Sequence, residues 1–384
     1  MEKKKVLFCA TVDYHFKAFH LPYLKWFKEQ GWEVHVAASG DIELPDTDLK
    51  FNIPIQRSPF RLKNFEAYKK LKQLMDNNKY DIIHCHTPMG GVLARLAARK
   101  ARTNGTKVIY TAHGFHFCKG SPLINWLVYY PIEKELASDT DCLITINQED
   151  YQLALKRFSA TQIEHVRGVG IDTDLFSPLL EEDKSVRKQS FGYQPDDCLL
   201  FYAAEFNHNK NQKYLLEALA LVKDEVPHIK LLLAGEGALL ESCKTIAYQL
   251  GLTHMVDFLG YRKDLKELVP MCDVAVASSL REGLPVNIME AMSCELPVIA
   301  VENRGHRELV VPNETGWLVH HDRPEELATK IKRLAVDEVT RKALGKNGRK
   351  RIVSDFSVDQ ILLHKSMIYT SYIKETEEVT WAIR

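Results

Sequence analysis

The chain has 384 residues, which at about 150 residues per domain is enough for two domains. Its 45% apolar and 27% charged content, with 19 Gly and 15 Pro, excludes a disordered, collagenous or low-complexity chain. Lys plus Arg (51) balances Asp plus Glu (51), so no global charge points to nucleic acid, and none is expected as a partner.

The chain opens with Lys3-Lys4-Lys5 and the apolar residues 6–12, which end at Asp13-Tyr14-His15 without a small-residue cleavage site. That predicts a first β-strand rather than a signal peptide. A helical pattern over 21–31 and a strand over 34–38 follow. Residues 81–86 form the next predicted strand and lead into an Ala/Arg-rich helix over 90–102. Strands are predicted again at 107–111 and 142–146. The longest apolar stretch, 123–132, is interrupted by Asn125 and Pro131 and is far shorter than the roughly 20 residues that span a bilayer. Residues 177–194 are polar and turn-rich, which places a domain boundary near residue 177. A second series of strands then runs at 198–202, 230–234, 256–259, 274–277 and 297–300.

Near-continuously apolar strands alternating with helices predict parallel sheets covered on both faces. The expected fold class is α/β, with two doubly wound Rossmann-like domains facing across a cleft. The first spans 1–177 and the second 178–356, with the C-terminal helical stretch of about 357–384 crossing back to the first. Ligands in such sheets bind beyond the carboxyl ends of the strands. The eight cysteines are scattered without a C-x-x-C pair and read as reduced thiols of a cytoplasmic protein.

Between Arg57 and Lys119 there are 13 basic residues against Glu66, Asp76 and Asp81, a local net of +10. This is either a set of solvated helix faces or a surface for anionic lipid or a diphosphate-bearing acceptor.

Ser278-Ser279-Leu280-Arg281-Glu282-Gly283-Leu284-Pro285-Val286-Asn287-Ile288-Met289-Glu290 follows a buried strand and opens a helix. Gly283 permits close backbone approach, and Pro285 suits the first helical turn. The free N–H groups there favour a diphosphate, with Glu282 beside the group attached to it. Glu290 is placed to accept hydrogen bonds from a ribose diol. Acidic residues early in helices are also common simply because they complement the helix dipole.

This segment resembles the E-x7-E signature of the family 4 retaining glycosyltransferases, whose fold is GT-B, and the feel is that of exopolysaccharide and capsule enzymes. Thr111-Ala112-His113, Gly170-Ile171-Asp172-Thr173-Asp174-Leu175-Phe176, Lys210, Ala234-Gly235-Glu236-Gly237, Asn303-Arg304-Gly305 and Thr315-Gly316-Trp317 also resemble family segments in the same order. The resemblance implies a nucleotide-sugar donor on the second domain and an acceptor on the first. It implies His113, Glu282 and Lys210 as catalytic residues, and Lys210, Gly283, Leu284, Pro285, Val286, Glu290, Glu236 and Arg281 as donor contacts. Asp13, His15 and His86 are expected on the acceptor side.

The chain departs from the family at Glu205, where relatives usually carry an arginine, so the second cation must come from elsewhere, with Arg281 and Arg304 as candidates. Three D-x-D matches, at 46–48, 139–141 and 172–174, are discounted as chance, and no metal or other cofactor is expected. His84 and His86 are read as pointing to opposite faces of their strand, which would keep them from sharing an ion.

These features imply a metal-independent retaining transferase, cytoplasmic and peripheral to the inner face of the membrane. It would move a hexosyl unit from a UDP-sugar to a lipid-linked or growing polysaccharide. Two alternatives are a UDP-sugar epimerase of the same fold and a non-catalytic nucleotide-sugar-binding partner of another transferase.

Overall fold

The computed structural model describes residues 3–382, with side chains as far as Ile373. Thirteen strands are found among these residues. The first seven are β1 (Lys5–Val12), β2 (Glu33–Ser39), β3 (Leu49–Asn52), β4 (Ile82–His86), β5 (Lys107–Ala112), β6 (Cys142–Thr145) and β7 (Gln162–His165). The other six are β8 (Cys198–Ala203), β9 (Ile229–Ala234), β10 (Val256–Gly260), β11 (Val274–Ala277), β12 (Val298–Val301) and β13 (Gly316–Val319). They form two all-parallel sheets in the orders β3-β2-β1-β4-β5-β6-β7 and β10-β9-β8-β11-β12-β13. In both, strand order reverses beside the first strand, at β1/β4 and at β8/β11. These switch points are where such sheets bind ligands.

Alternation along β1 explains why the first sheet is covered on both faces. Leu7 and Cys9 join one buried cluster with Ile83, Cys85, Leu93 and Leu143. Val6, Phe8 and Ala10 join another with Phe27, Val34 and Ile109. The long helix Val358–Ala382 packs on this second face through Ile361, Ile368, Tyr369 and Tyr372. In the second sheet, Leu199, Leu232, Val274, Val276, Val298 and Ile299 are fully buried. All eight cysteines are buried and free.

The chain divides into residues 1–170 with 358–384, and 171–357. This corrects the boundary expected near residue 177. Residues 171–176 belong with the second unit because its groups hold them: the Ile171 N–H donates to the Phe356 carbonyl at 2.9 Å, and Ser293 Oγ to the Phe176 carbonyl at 2.5 Å. The polar stretch that followed was expected to contribute little to a core, yet it forms the helix Glu181–Ser190, anchored by charge. Lys184 and Lys188 reach the two oxygens of buried Asp273 at 2.7 and 2.8 Å. Burial alone would raise that carboxyl, but the two ammonium groups outweigh it and hold it low. No helix among the described residues is long and apolar enough to cross a membrane.

Candidate active site

In the second unit, the switch point brings two separated loops together. The loop after β8 carries Lys210, and the loop after β11 carries Glu282. Lys210 Nζ lies 2.5 Å from Glu282 Oε1, with both side chains partly buried. The loops are laced by backbone and side-chain bonds: Leu280 N–H to the Asn209 carbonyl at 2.8 Å, Asn209 Nδ2 to the Arg281 carbonyl at 2.9 Å, and Ser278 Oγ to the Lys210 carbonyl at 2.6 Å. Arg304 Nε donates to the Glu282 carbonyl at 3.0 Å. A Cβ on Gly305 would stand 2.7 Å from that of Glu282, so only glycine lets the segment from Asn303 pack here. Of the two candidate cations, Arg304 is therefore bound to the backbone of the loop after β11, and Arg281 lies within that loop.

Gly283 and Leu284 lead into the helix Val286–Ser293, whose N-cap is Pro285 rather than a side chain that would satisfy the first N–H groups. Glu290 lies on this helix, partly buried, and burial pushes its carboxyl up to about 7. Asn287 Nδ2 ties the same helix to the Ala203 carbonyl at 2.9 Å. The 235–237 loop closes against the loop after β8: the Phe206 N–H donates to the Glu236 carbonyl at 2.8 Å. Gly235 and Gly237 both have positive φ, and a Cβ on either would meet the backbone of Ala204 or Phe206 within 2.4 Å. The Glu236 side chain is exposed, as is Glu205.

The first unit's switch point carries the residues expected on the acceptor side, but not as one group. Asp13 is drawn into the structure: its Oδ2 accepts from Lys50 Nζ at 2.6 Å and the Ile42 N–H at 2.7 Å. Burial would raise this carboxyl, and those hydrogen bonds outweigh it and lower it. His15, His86 and His113 do converge, and a fourth residue, His20, joins them. His15 Nε2 is 3.0 Å from His20 Nε2, and His86 Nδ1 is 3.3 Å from His113 Nε2. Burial, with help from Lys365, lowers His15 to about 4, and burial lowers His20, His86 and His113 well below the ordinary histidine range.

His84 and His86 share one face of β4, with ring centroids 4.1 Å apart, because residues two apart in a strand point the same way. The expectation that they diverge is corrected. His84 is still separately occupied, by Tyr369 Oη and Thr111 Oγ1, each at 2.8 Å.

Two buried groups were missed. His20 sits at the junction of the helices Tyr14–Phe19 and Leu21–Glu29, where spacing carries no signal. Lys365 was legible as a lone cation in the apolar stripe 361, 368, 369 and 372. Its ammonium is fully buried over the Tyr23 ring at 4.3 Å, and burial lowers it to about 7.

Within the first unit, a cavity of about 770 Å³ is lined by Phe65, Met89, Val92, Leu96, Arg57 and Arg61 among others. In the same unit Phe60, Leu62, Leu123, Ile124 and Leu127 are strongly exposed. The basic segment is partly neutralised: Lys70, Lys72, Arg95, Arg99 and Arg102 pair with Glu66, Asp76, Glu133, Asp139 and Asp141. Those pairs also account for the D-x-D match at 139–141. In the match at 46–48, Asp48 binds Lys28 at 2.6 Å.

The family described as glycosyl transferases group 1 matches residues 183–351, and that described as glycosyl transferase 4-like matches residues 5–147. EpsD of Bacillus subtilis (strain 168), provisionally named a glycosyltransferase, is 50% identical over 372 residues, 96% of this chain and 97% of that one. The UDP-Gal:alpha-D-GlcNAc-diphosphoundecaprenol alpha-1,3-galactosyltransferase of Escherichia coli is 28% identical over 82% of each chain. Among solved structures, Anabaena HepE in complex with UDP and glucose superposes with a TM-score of 0.79 at 21% identity, covering 96% of this chain and 100% of that one. The lipopolysaccharide glycosyltransferase WaaG gives 0.73 at 17% identity, covering 94% and 99%.

Proposed function

The chain belongs to the family 4 glycosyltransferases of GT-B fold, in the exopolysaccharide and capsule group, and from that premise we propose that it is a retaining, metal-independent hexosyltransferase. Its donor is a UDP-sugar and its acceptor a lipid-linked or growing saccharide. The observation that carries this reading is the Lys210–Glu282 pair beside the uncapped start of the helix Val286–Ser293.

Breaking the bond to the anomeric carbon leaves negative charge on the diphosphate. Lys210 and the helix N–H groups stabilise that charge without a metal. Glu282 lies next to Lys210 and so beside the sugar that the diphosphate carries. Glu290 accepts from the ribose hydroxyls. The family resemblance implies a catalytic role for His113. The departing phosphate takes the proton of the incoming hydroxyl on the same face, which preserves the anomeric configuration. The bound UDP of HepE supports a uridine donor.

On the acceptor side, the E. coli relative is named for a diphosphoundecaprenol-linked substrate, which supports a lipid diphosphate. The apolar cavity, with Arg57 and Arg61 in its lining, fits an acyl or prenyl chain next to an anionic head group. The exposed Phe60, Leu62, Leu123, Ile124 and Leu127 supply a face for a peripheral, cytoplasmic-side membrane contact.

Product analysis tests this. Purified protein is incubated with individual UDP-sugars in EDTA, with and without a polyprenyl-diphosphate saccharide. Acceptor-dependent transfer with an α-linkage is expected. Sugar isomerisation without acceptor would identify an epimerase, and donor binding with no turnover a non-catalytic partner.

A further inference from the structure

We propose that His15, His20, His86 and His113 form a binding site for one divalent transition-metal ion of the zinc class. Each histidine offers one ring nitrogen such that the four lie within 4.8 Å of one another. A tetrahedral zinc ion with bonds of about 2.0–2.1 Å requires nitrogens about 3.3 Å apart. The His15–His20 and His86–His113 contacts, at 3.0 and 3.3 Å, already lie near that spacing. The four rings come from separate segments: the helix after β1, the helix junction at His20, the end of β4 and the turn after β5. Each is fixed by the fold, so little ordering is needed to bring them together.

Of the two His86 ring nitrogens, Nδ1 is the one that faces His113, and a metal held there would leave Nε2, which is buried without a hydrogen-bond partner among the described residues, as it is. The donor set is all nitrogen, which selects zinc, cobalt, nickel or copper over magnesium or calcium. The buried Lys365 works against a cation nearby, but burial already moves its ammonium toward the neutral form. A metal here would occupy the His113 imidazole, to which the transferase reading assigns a catalytic role. It would therefore inhibit rather than assist, and that corollary alone rests on the reading above.

The exposed cluster His320, His321 and Asp322 is a competing surface site, so the test uses tag-free full-length protein carrying His320→Gln and His321→Gln. Cobalt(II) is titrated and its visible absorption followed. One cobalt per chain with the intense bands of a four-coordinate ion is expected, displaceable by zinc. His20→Gln and His86→Gln should each weaken binding about tenfold or more, since even outer-shell losses cost roughly 10–100-fold. His15→Gln, at a partly exposed ring, decides the matter if the buried variants do not fold. Absence of the bands, or affinity unchanged by His15→Gln, overturns the site. Metal binding without any transferase activity would leave the site standing and count against the function proposed above.

Discussion

Lys210 Nζ and Glu282 Oε1 lie 2.5 Å apart although 72 residues separate them, because the strands that precede them are neighbours at the point where the second sheet reverses its order. In the proposed donor site the pair sets the geometry, since each side chain holds the other in place. Lys210→Ala should lower kcat about 10²–10³-fold, in the range seen when a charge-stabilising donor is removed. Glu282→Gln should also be impaired, and the double variant should lose less than the product of the two single effects. A double-mutant cycle on kcat measures this coupling. Additive losses would mean that the two residues act independently.

Glu290 gives the site a pH signature. Burial raises its carboxyl to about 7, so below that pH the folded protein holds it protonated. In the proposed donor site, ribose hydroxyls donate to the ionised form. UDP affinity should therefore rise roughly tenfold per pH unit up to about 7 and level off above it, with a proton released on binding. Glu290→Gln should bind UDP more weakly and lose this dependence, leaving only the titration of the nucleotide itself. Calorimetry in buffers of different ionisation enthalpy counts the protons.

Much of this arrangement was legible in the chain. Core strands such as β9 and β11 are nearly continuous apolar runs, and the 278–290 segment follows one of them directly. The edge strands β3 and β7 were not legible, because Leu49-Lys50-Phe51-Asn52 and Gln162-Ile163-Glu164-His165 are half-exposed and mix polar with apolar residues. The boundary was displaced because residues 171–176 are held by Phe356 and Ser293 of the second unit, contacts with distant segments that no local pattern signals. Asp13 looked available for a ligand until Lys50, 37 residues away, claimed it. The histidine cluster draws on four segments whose proximity only the folded β1/β4 edge creates.

Lys365 is an internal cost to stability. Its folded value of about 7 lies below the ordinary lysine value, so at pH 7.5 folding must strip a proton that the unfolded chain keeps. Lys365→Met, which keeps the length and removes the charge, should stabilise the protein by something on the order of 1–4 kcal/mol at pH 7.5. The gain should disappear as pH rises toward about 10.5, where the unfolded chain also loses the proton. Urea denaturation at pH 7.5 and 9.5 checks both the sign and the trend.

The exposed apolar side chains make a separate prediction for the first unit. Replacing Leu123 and Leu127 with Ser, together with Phe60→Ser, should weaken binding to phosphatidylglycerol vesicles about tenfold or more, from the apolar area no longer buried. Melting temperature should change little, because these side chains are 80%, 73% and 82% exposed. Vesicle sedimentation at low and high salt separates this apolar contribution from that of the basic residues.

The donor-site assignment is tested most directly by thermal stabilisation with UDP, GDP, ADP, CMP and a panel of UDP-sugars, with and without EDTA, on wild type and Lys210→Ala. A ligand that binds only the folded protein raises its apparent stability by mass action. The expected result is stabilisation by UDP and one UDP-sugar that EDTA leaves unchanged and Lys210→Ala removes. No response to any nucleotide, or an equal response in Lys210→Ala, would contradict the placement of the donor around Lys210, Glu282 and Glu290.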